Sequence, residues 1–158
     1  MDKRKIIEKY LDSGYGSCLL KDSRTAAILV EGWRFFDTER YDLIAYVVMP
    51  NHVHLLIKTY EGWSMGDLVK SWKRASTKSI RHLYRADCKS ELPAGFHPGL
   101  LKEGKSFWQR EYWDRFIRDE RHYYATIDYI HHNTVKANLV NKAVDWAYSS
   151  CGKEGEIK

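Results

Sequence analysis

The sequence has few of the residues that would cross-link a small fold. It contains three cysteines and three prolines in 158 residues. Cys18, Cys88 and Cys151 are odd in number and far apart, and they form no CxxC pair. They therefore predict neither a disulfide framework nor a zinc knuckle. Free cysteines suit a reducing compartment, so we expect a cytoplasmic protein.

Long hydrophobic runs are also missing. No apolar stretch approaches the ~20 residues that a membrane-spanning helix requires, so no membrane partner is expected. The first ten residues, MDKRKIIEKY, are charged and amphipathic, which does not fit a signal peptide. The length predicts a single domain over residues 1–158 with its own core, ending in a loose tail at residues 152–158.

Basic and aromatic residues, in contrast, are plentiful. The net charge is +5, the pI is about 9.0, and there are six Trp and eleven Tyr residues. Cationic side chains contact phosphates and exposed rings stack on bases, so this composition suits a nucleic-acid partner. A basic domain without such a partner has the same composition, and charge alone leaves both interpretations open.

Hydrophobic periodicity predicts a chain in which helices and strands alternate. The predicted helices are Lys5–Leu11, Thr25–Asp37, Ser64–Arg85 and Glu120–His132. The predicted strands are Tyr41–Met49, His52–Lys58 and a short segment within Phe107–Ile117, with a loop at Asp87–Lys105. Because the turn signal Pro50-Asn51 separates the first two strands, they should form a hairpin. This order indicates an α+β fold, an antiparallel sheet with helices on one face.

Two histidines at the start of the second strand form the first candidate site. His52 and His54 are two residues apart, so their side chains share one face of a strand and lie about 6.8 Å apart along it. Two imidazoles at that spacing can bind one metal ion. Two histidines that only pack on the sheet are the alternative, although buried imidazoles among hydrophobic neighbours need partners.

The last predicted helix carries a second candidate pair. Tyr129 and Asn133 are four residues apart and share a face, which differs from the apolar face expected to meet the core. Tyr129 is therefore not an obvious core aromatic. A tyrosine hydroxyl can act as a nucleophile if its surroundings offset its usual pKa of about 10. A tyrosine that only packs at the rim is the alternative.

The long helix Ser64–Arg85 has a basic face opposite its apolar one. No acidic residue follows four positions later within this stripe, which favours phosphate contacts over an ordinary solvated face. Its members are Lys70, Lys73, Arg74, Lys78, Arg81 and Arg85. The next segment contains Trp108, Tyr112 and Trp113, whose rings would stack on unpaired bases if they are exposed and serve the core if they are buried.

Four blocks in order resemble the REP-associated branch of the single-tyrosine HUH transposases. They are VVMPNHVHLLI, SWKRASTKSI, FWQREYWDRFIRDE and IDYIHHNTVKANLV, and a final DWAYSS also resembles that branch. The resemblance implies a ferredoxin-like antiparallel sheet flanked by helices. It also implies an enzyme of DNA transposition that binds hairpin DNA, such as REP-like palindromes, and cleaves a single strand beside it. A monomer and a homodimer are both compatible with the sequence.

The resemblance further implies the roles of individual residues. His52, His54 and Asn133 correspond to ligands of a divalent metal, Mg²⁺ or Mn²⁺, and Tyr129 corresponds to the nucleophile. Tyr129 would form a 5′-phosphotyrosine that a 3′-hydroxyl later resolves, so strands would be rejoined without ATP. Thr134 stands where the family usually has proline, and a helix end is still compatible with threonine.

Members of this family also begin with a central strand ahead of the first long helix. Gly16–Leu20 is the only short candidate for that strand here, so either Met1 is a late start or a truncation, or the first strand is absent. Its absence would leave an open edge on the histidine-bearing strand. Two other functions stay open: a catalytically inactive, hairpin-DNA-binding remnant, and a histidine phosphoesterase acting on small nucleotides. The second usually needs another HxH-type motif, which the remaining histidines do not form.

Overall fold

The computed structural model describes residues 18–86, 99, 102 and 104–151. Within them the long elements are α1 (Ser23–Phe35), β1 (Tyr41–Val48), β2 (Val53–Thr59), α2 (Met65–Ala86) and α3 (Glu120–Lys136). These elements confirm the α+β class. The helix expected at Lys5–Leu11, most of the loop at Asp87–Lys105 and the tail at residues 152–158 lie outside the described residues. None of the described helices is long and apolar enough to cross a membrane.

β1 and β2 form the predicted antiparallel hairpin. Val47 pairs with His54 across it, and the ladder shifts between Leu43 and Ala45, where Ile44 is an extra residue on β1. Such a bulge lets one strand adjust its twist while its partner keeps strict alternation. β2 has no extra residue, so its side chains alternate regularly and His54 stays on the face that strand alternation predicts.

Helices pack on both faces of the hairpin. One face, with Leu55 and Ile57, packs against α1 and α2, where Trp33 is buried. The other face packs against α3, where Ile130 meets Leu56. The expectation that all helices lie on one face is wrong for the described elements, because most of β1 is buried on both sides and needs cover on both.

A segment after α3 covers the edge of β1 that β2 leaves open. The amide of Val48 donates to the carbonyl of Tyr148 at 2.9 Å, and the amide of Ser150 donates to the carbonyl of Tyr46 at 3.0 Å. Val47 and Ser149 form an antiparallel bridge between these contacts. β1 therefore lies between β2 and the DWAYSS block. Among the described residues, no strand pairs with the outer edge of β2.

The strand predicted within Phe107–Ile117 is wrong, and the candidate replacement for the first strand does not form where the structure describes it. Residues 104–118 contain neither helix nor strand. Their aromatic content suggested β-structure, but side chains of α2 take up backbone carbonyls there: the Lys73 ammonium donates to the carbonyl of Gln109 at 2.7 Å. The candidate replacement strand Gly16–Leu20 does not form over its described part, because Leu19–Lys21 is a 3₁₀ turn.

The last helix is longer than the sequence predicted. α3 begins at Glu120, as expected, with the Asp119 carboxylate accepting from the amide of His122, but it continues to Lys136 instead of ending at His132. Thr134, unlike proline, has the backbone N–H that a helix interior uses. The helix ends just before Asn138, whose φ of 57° breaks the helical path.

Candidate active site

His52 and His54 face each other at the start of β2. Their Nε2 atoms are 3.1 Å apart, and their rings meet edge-on with centroids separated by 4.9 Å. Both side chains are half-buried. Two imidazole nitrogens bound to one metal at right angles, with bonds of about 2.1 Å, would lie about 3 Å apart. The two imidazoles thus lie side by side, as strand alternation predicts, in a geometry that also suits two ligands of one ion.

Asn51 contacts the outer side of this pair. Its side-chain oxygen lies 2.7 Å from Nδ1 of His52, on the opposite side of the ring from His54. The preceding turn holds these residues in place, because the amide of Met49 donates to the carbonyl of His52 at 2.8 Å. The first histidine is therefore held from both sides.

α3 brings Tyr129 to the histidine pair. The ring of Tyr129 meets the ring of His54 edge-on, with centroids 5.6 Å apart. Ile127 and Ile130 hold the other side of the helix in the core, as predicted, and leave Tyr129 37% exposed. The Lys136 ammonium lies 5.9 Å from the centre of the Tyr129 ring. A tyrosine reachable from solvent thus lies beside two imidazoles and a cation.

Asn133 lies one helical turn beyond Tyr129 and is buried. It is 1% exposed, and neither the oxygen nor the nitrogen of its side chain has a hydrogen-bond partner among the described residues. The hydroxyl of neighbouring Thr134 is buried and unpartnered in the same way. Buried polar groups are usually paired, because an unpaired one costs free energy. A cation bound at the Asn133 oxygen would satisfy part of this demand.

The potential donors at this site are two imidazole nitrogens and one neutral amide oxygen, and not a cluster of ionisable side chains. In the part of the chain that the structure describes, no three His, Cys, Asp or Glu residues come together as a metal site. A cation held by the histidine pair would need further donors, and the unpartnered amide oxygen of Asn133 lies on the helix that packs on this face. Imidazole together with oxygen ligands suits ions such as Mn²⁺ and tolerates Mg²⁺.

The other histidines of α3 have structural partners. His131 is buried with Nε2 2.7 Å from the hydroxyl of Ser150, and Nδ1 of His132 lies 3.0 Å from the carbonyl of Asp128. His122 accepts at Nδ1 from the amide of Arg118 at 3.2 Å. These contacts give the three histidines roles in the fold, and within the described residues they supply no second HxH-type set for the phosphoesterase interpretation.

The predicted basic face of α2 divides into two groups. Lys70, Arg74 and Lys78 are exposed, whereas Lys73 and Arg81 reach back to the following segment. Arg81 donates to the carbonyls of Lys102 and Lys105. Lys73 is partly buried, which lowers the pKa of its ammonium. Lys73 and Arg81 thus tie the backbone at Lys102, Lys105, Gln109 and Arg110 to α2.

Between α2 and this segment lies a groove of about 1250 Å³. Its cationic lining comes from Lys70, Arg74, Lys78, Arg85, Lys105 and Arg110. α2 and α3 pack on opposite faces of the hairpin, so the groove is not formed by the helix that carries Tyr129. The structure therefore brings His52, His54 and Tyr129 together, and Asn133 lies one turn further along the helix that carries Tyr129. The basic groove is lined by other residues.

The three predicted stacking aromatics also divide. Trp108 is half-buried against the core, and its ring N–H donates to the hydroxyl of Ser76 at 2.9 Å. Tyr112 and Trp113 are 41% and 53% exposed. Trp108 therefore packs, while the other two rings stay accessible to a ligand.

Two residues of the site had no predicted role. The sequence places Asn51 directly before the histidine pair and in the turn but assigns it no function, and it assigns none to Lys136. Lys136 follows Tyr129 by seven residues, so helical spacing alone would have placed it on the same face. Nothing in the sequence shows that the Asn51 side chain turns back onto the following histidine.

This is an α+β domain with a histidine pair at a hairpin strand and a tyrosine beside it on a helix. Sequence comparison shows to which family such a domain belongs. The profile of the family described as IS200-like transposases matches residues 32–133, so the chain belongs to that family. The matched range includes all four residues of the site, His52, His54, Tyr129 and Asn133.

Two curated relatives are named for the same branch. The chain is 30% identical over 111 residues to a protein of Haemophilus influenzae named for the REP-associated tyrosine transposases, covering 70% of this chain and 58% of that one. It is 28% identical over 110 residues to the REP-associated tyrosine transposase of Escherichia coli, covering 70% of this chain and 54% of that protein. The matches thus span just over half the length of these relatives. No solved structure matches the chain.

Proposed function

We propose that this chain cuts and rejoins single-stranded DNA in transposition, with Tyr129 as the nucleophile. The contact that carries the proposal is the one between the rings of Tyr129 and His54, 5.6 Å apart at their centroids. It places an exposed hydroxyl-bearing side chain beside a pair of potential metal ligands. Membership of the IS200-like transposase family supports the same reaction class.

The proposed metal ligands are His52, His54 and Asn133, and the proposed ion is Mg²⁺ or Mn²⁺. Two facing imidazole nitrogens 3.1 Å apart and a buried amide without a described partner support this assignment. When bound, the ion would polarise the scissile phosphate and neutralise charge on its oxygens. The protein's own contribution is to hold the two imidazoles, the amide and the tyrosine around that phosphate.

In the proposed step, the hydroxyl oxygen of Tyr129 attacks phosphorus. The new O–P bond forms as the bond from phosphorus to the 3′-oxygen breaks, the tyrosine loses its proton, and the leaving 3′-oxygen takes one up. The products are a 5′-phosphotyrosine and a 3′-hydroxyl. Attack by another 3′-hydroxyl reverses the exchange and joins strands, and no ATP is needed because one phosphoester replaces another. Lys136 adds positive charge where the phosphate must approach.

The proposed substrate is a hairpin with an adjoining single strand, as in REP-like palindromes. The exposed cations Lys70, Arg74 and Lys78 in the groove along α2 suit the phosphates of such a DNA. The exposed rings of Tyr112 and Trp113 suit unpaired bases. We place this activity in the cytoplasm, where the DNA and a reducing environment for the scattered cysteines are both found.

The test uses hairpin DNA from repeats flanking the gene, labelled at its 3′ end and incubated with the protein and Mg²⁺ or Mn²⁺. A 5′-phosphotyrosine keeps this label on the protein, so a denaturing gel should show a protease-sensitive adduct. Tyr129→Phe should abolish the adduct. Tyr124→Phe, which alters another exposed tyrosine of α3, is the matched control and should retain it.

The opposite result is equally informative. If wild-type protein shifts the hairpin on a native gel but yields neither adduct nor cleaved strand with either metal, the chain is a DNA-binding remnant. An adduct that persists in Tyr129→Phe would assign the nucleophile to another residue.

A further inference from the structure

We propose that Asn51 sets the hydrogen positions of the histidine pair and so prepares it for a metal ion. Asn51 acts in this account as a positioning residue, because it contacts His52 and not the ion. The inference rests on the proposed function for its metal step, while its first step concerns only hydrogen positions in the metal-free protein.

The contact between Asn51 and His52 fixes which nitrogen of His52 carries hydrogen. The side-chain oxygen of Asn51 lies 2.7 Å from Nδ1 of His52, and an amide oxygen can only accept a hydrogen bond. Nδ1 must therefore be the donor. Since a neutral imidazole carries one hydrogen, Nε2 of His52 is left with a lone pair, and that nitrogen faces His54.

The state of His52 then determines that of His54. Their Nε2 atoms are 3.1 Å apart, which is a hydrogen-bond distance. Two lone pairs at this distance would repel each other, so one nitrogen must carry a hydrogen, and His52 has none there. In the metal-free pair Nε2 of His54 is thus the donor. Asn51 thus specifies both tautomers through its contact with the first ring.

This arrangement makes the two histidines unequal toward a metal. A metal requires a lone pair on each coordinating nitrogen. Nε2 of His52 already offers one, whereas His54 must first give up the hydrogen on Nε2 and carry one on Nδ1 instead. The total number of protons is unchanged, because solvent takes one hydrogen from Nε2 and returns one to Nδ1. His52 and His54 would therefore need to release only the one hydrogen between their Nε2 atoms to hold an ion.

An outer contact of this kind is a common way to orient a metal-binding histidine. Removing such a partner usually weakens metal affinity about 10- to 100-fold. Here the partner is the residue directly before the histidine, so the turn that starts β2 supplies the ligand and its orienting group together. The edge-on packing of the two rings, with planes at 88°, holds the second ring against the first.

The direct test is a long-range ¹H–¹⁵N NMR spectrum of the full chain with ¹⁵N-labelled histidine. Without metal, His52 should carry hydrogen on Nδ1 and His54 on Nε2. Zn²⁺ serves as a diamagnetic probe that imidazoles bind well, and on its addition His54 should change to the Nδ1–H form while His52 stays as it was. A metal-free His52 with hydrogen on Nε2 would overturn the inference, whatever the protein does to DNA.

Variants separate orientation from simple folding. Asn51→Ala should give a mixture of His52 tautomers and bind Mn²⁺ about 10- to 100-fold more weakly, measured by electron paramagnetic resonance. Asn51→Asp keeps an accepting oxygen and should restore the Nδ1–H form. Asn141→Ala, at an exposed asparagine, should match wild type. Unchanged tautomers and Mn²⁺ affinity in Asn51→Ala would refute the positioning role of Asn51. If that variant fails to fold, the spectra of wild type and Asn51→Asp still show whether the Nδ1–H form depends on the accepting oxygen.

These outcomes distinguish the inference from the function on which it rests. The assigned tautomers together with no Tyr129 adduct would refute the proposed reaction and leave the role of Asn51 in the metal-free pair intact. A Tyr129 adduct formed by a protein whose His52 carries hydrogen on Nε2 would support the proposed reaction and refute the role of Asn51. Saturating Zn²⁺ that leaves the hydrogen of His54 in place would refute the metal step of the inference.

Discussion

The rings of His54 and Tyr129 meet at nearly a right angle, with an interplanar angle of 80° and centroids 5.6 Å apart. One residue belongs to a strand and the other to the helix that packs on that strand's face. Ile130, the neighbour of Tyr129, is 2% exposed and fixes the helix there. The core thus positions a contact that itself lies at the surface, where a large substrate can reach it.

The buried amide of Asn133 should cost stability in the metal-free protein. Asn133→Leu removes two unpartnered polar atoms from a site that is 1% exposed. We expect the metal-free variant to be as stable as wild type or more stable by about 1 kcal/mol, since a buried unsatisfied group costs about 1–3 kcal/mol. Strand cleavage should be lost. Urea denaturation with a chelator measures the first effect and the adduct assay the second.

A large loss of metal-free stability in Asn133→Leu would contradict this account, because it would mean that the amide has partners of its own. Asn138 is not a suitable control because its positive φ favours asparagine. Asn141→Leu, at an exposed site, is the matched substitution and should leave both stability and cleavage unchanged.

Trp108 and Trp113 should have opposite roles. Trp108→Phe removes the ring N–H that donates to Ser76, and should lower the free energy of unfolding by about 1 kcal/mol without changing DNA affinity. Trp113→Ala removes a ring that is 53% exposed, and should weaken binding to single-stranded DNA by about 1–3 kcal/mol with little effect on stability. Thermal melts and fluorescence anisotropy measure the two effects. Equal effects of both variants on DNA affinity would refute the assignment of Trp108 to packing and Trp113 to DNA binding.

The exposed cations of α2 should account for much of the salt dependence of DNA binding. The triple variant Lys70→Gln, Arg74→Gln, Lys78→Gln should bind hairpin DNA more weakly. Each lost phosphate contact lowers the slope of log affinity against log salt by about 0.9, so the slope should fall by ~3.

The control removes the same charge elsewhere. Lys21, Lys58 and Lys142 are exposed and lie outside the groove lining, so changing all three to glutamine should leave the slope near that of wild type. If both triple variants lower the slope equally, net charge and not the α2 groove governs binding.

Asp22 should make stability depend on pH in the acid range. The Arg24 side chain, followed by the Arg24 amide and the Tyr84 hydroxyl, lowers the pKa of Asp22 below its ordinary value of 3.8. Because the folded-state pKa is the lower one, the contribution to stability is complete above about pH 5 and is lost as the pH falls through the folded pKa. The Asp22 side chain is 10% exposed and the Arg24 side chain 40% exposed, so solvent partly screens this pair and the effect should be modest.

Asp22→Asn keeps an N-cap side chain but removes the charge. We expect it to lower the free energy of unfolding by about 1 kcal/mol near neutral pH, with the difference from wild type shrinking toward about pH 2. Asp114→Asn, at an exposed site, is the control. Denaturation curves across this range check the trend, and a difference that is constant with pH would assign the effect to packing instead of charge.

The sequence alone determined four of the five long elements and which of the candidate site residues share a face. Periodicity placed α1, β1, β2 and α2 within two residues of their observed ends, because strong amphipathic patterns are local properties of the chain. Strand alternation put His52 and His54 together, and helical spacing separated Tyr129 from Ile127 and Ile130, which pack in the core. These relations depend only on neighbours in sequence.

The tertiary structure decided everything that depends on contacts between distant residues. Residues 107–117 have a strand-like composition, but their carbonyls meet Lys73 and no described strand. Trp108 became a core residue because Ser76 accepts from its ring, and the DWAYSS block became a neighbour of β1 through Val48 and Ser150.

The burial of Asn133 and its missing partners likewise follow from how α3 packs on the hairpin. Asn133 and the histidine pair lie on different elements. Local sequence patterns therefore identified each of them as a candidate but could not predict which residues would surround it. A pattern of residue types records which side chains share a face. It does not show which face of another element that face will pack against, because this depends on the packing of the whole chain.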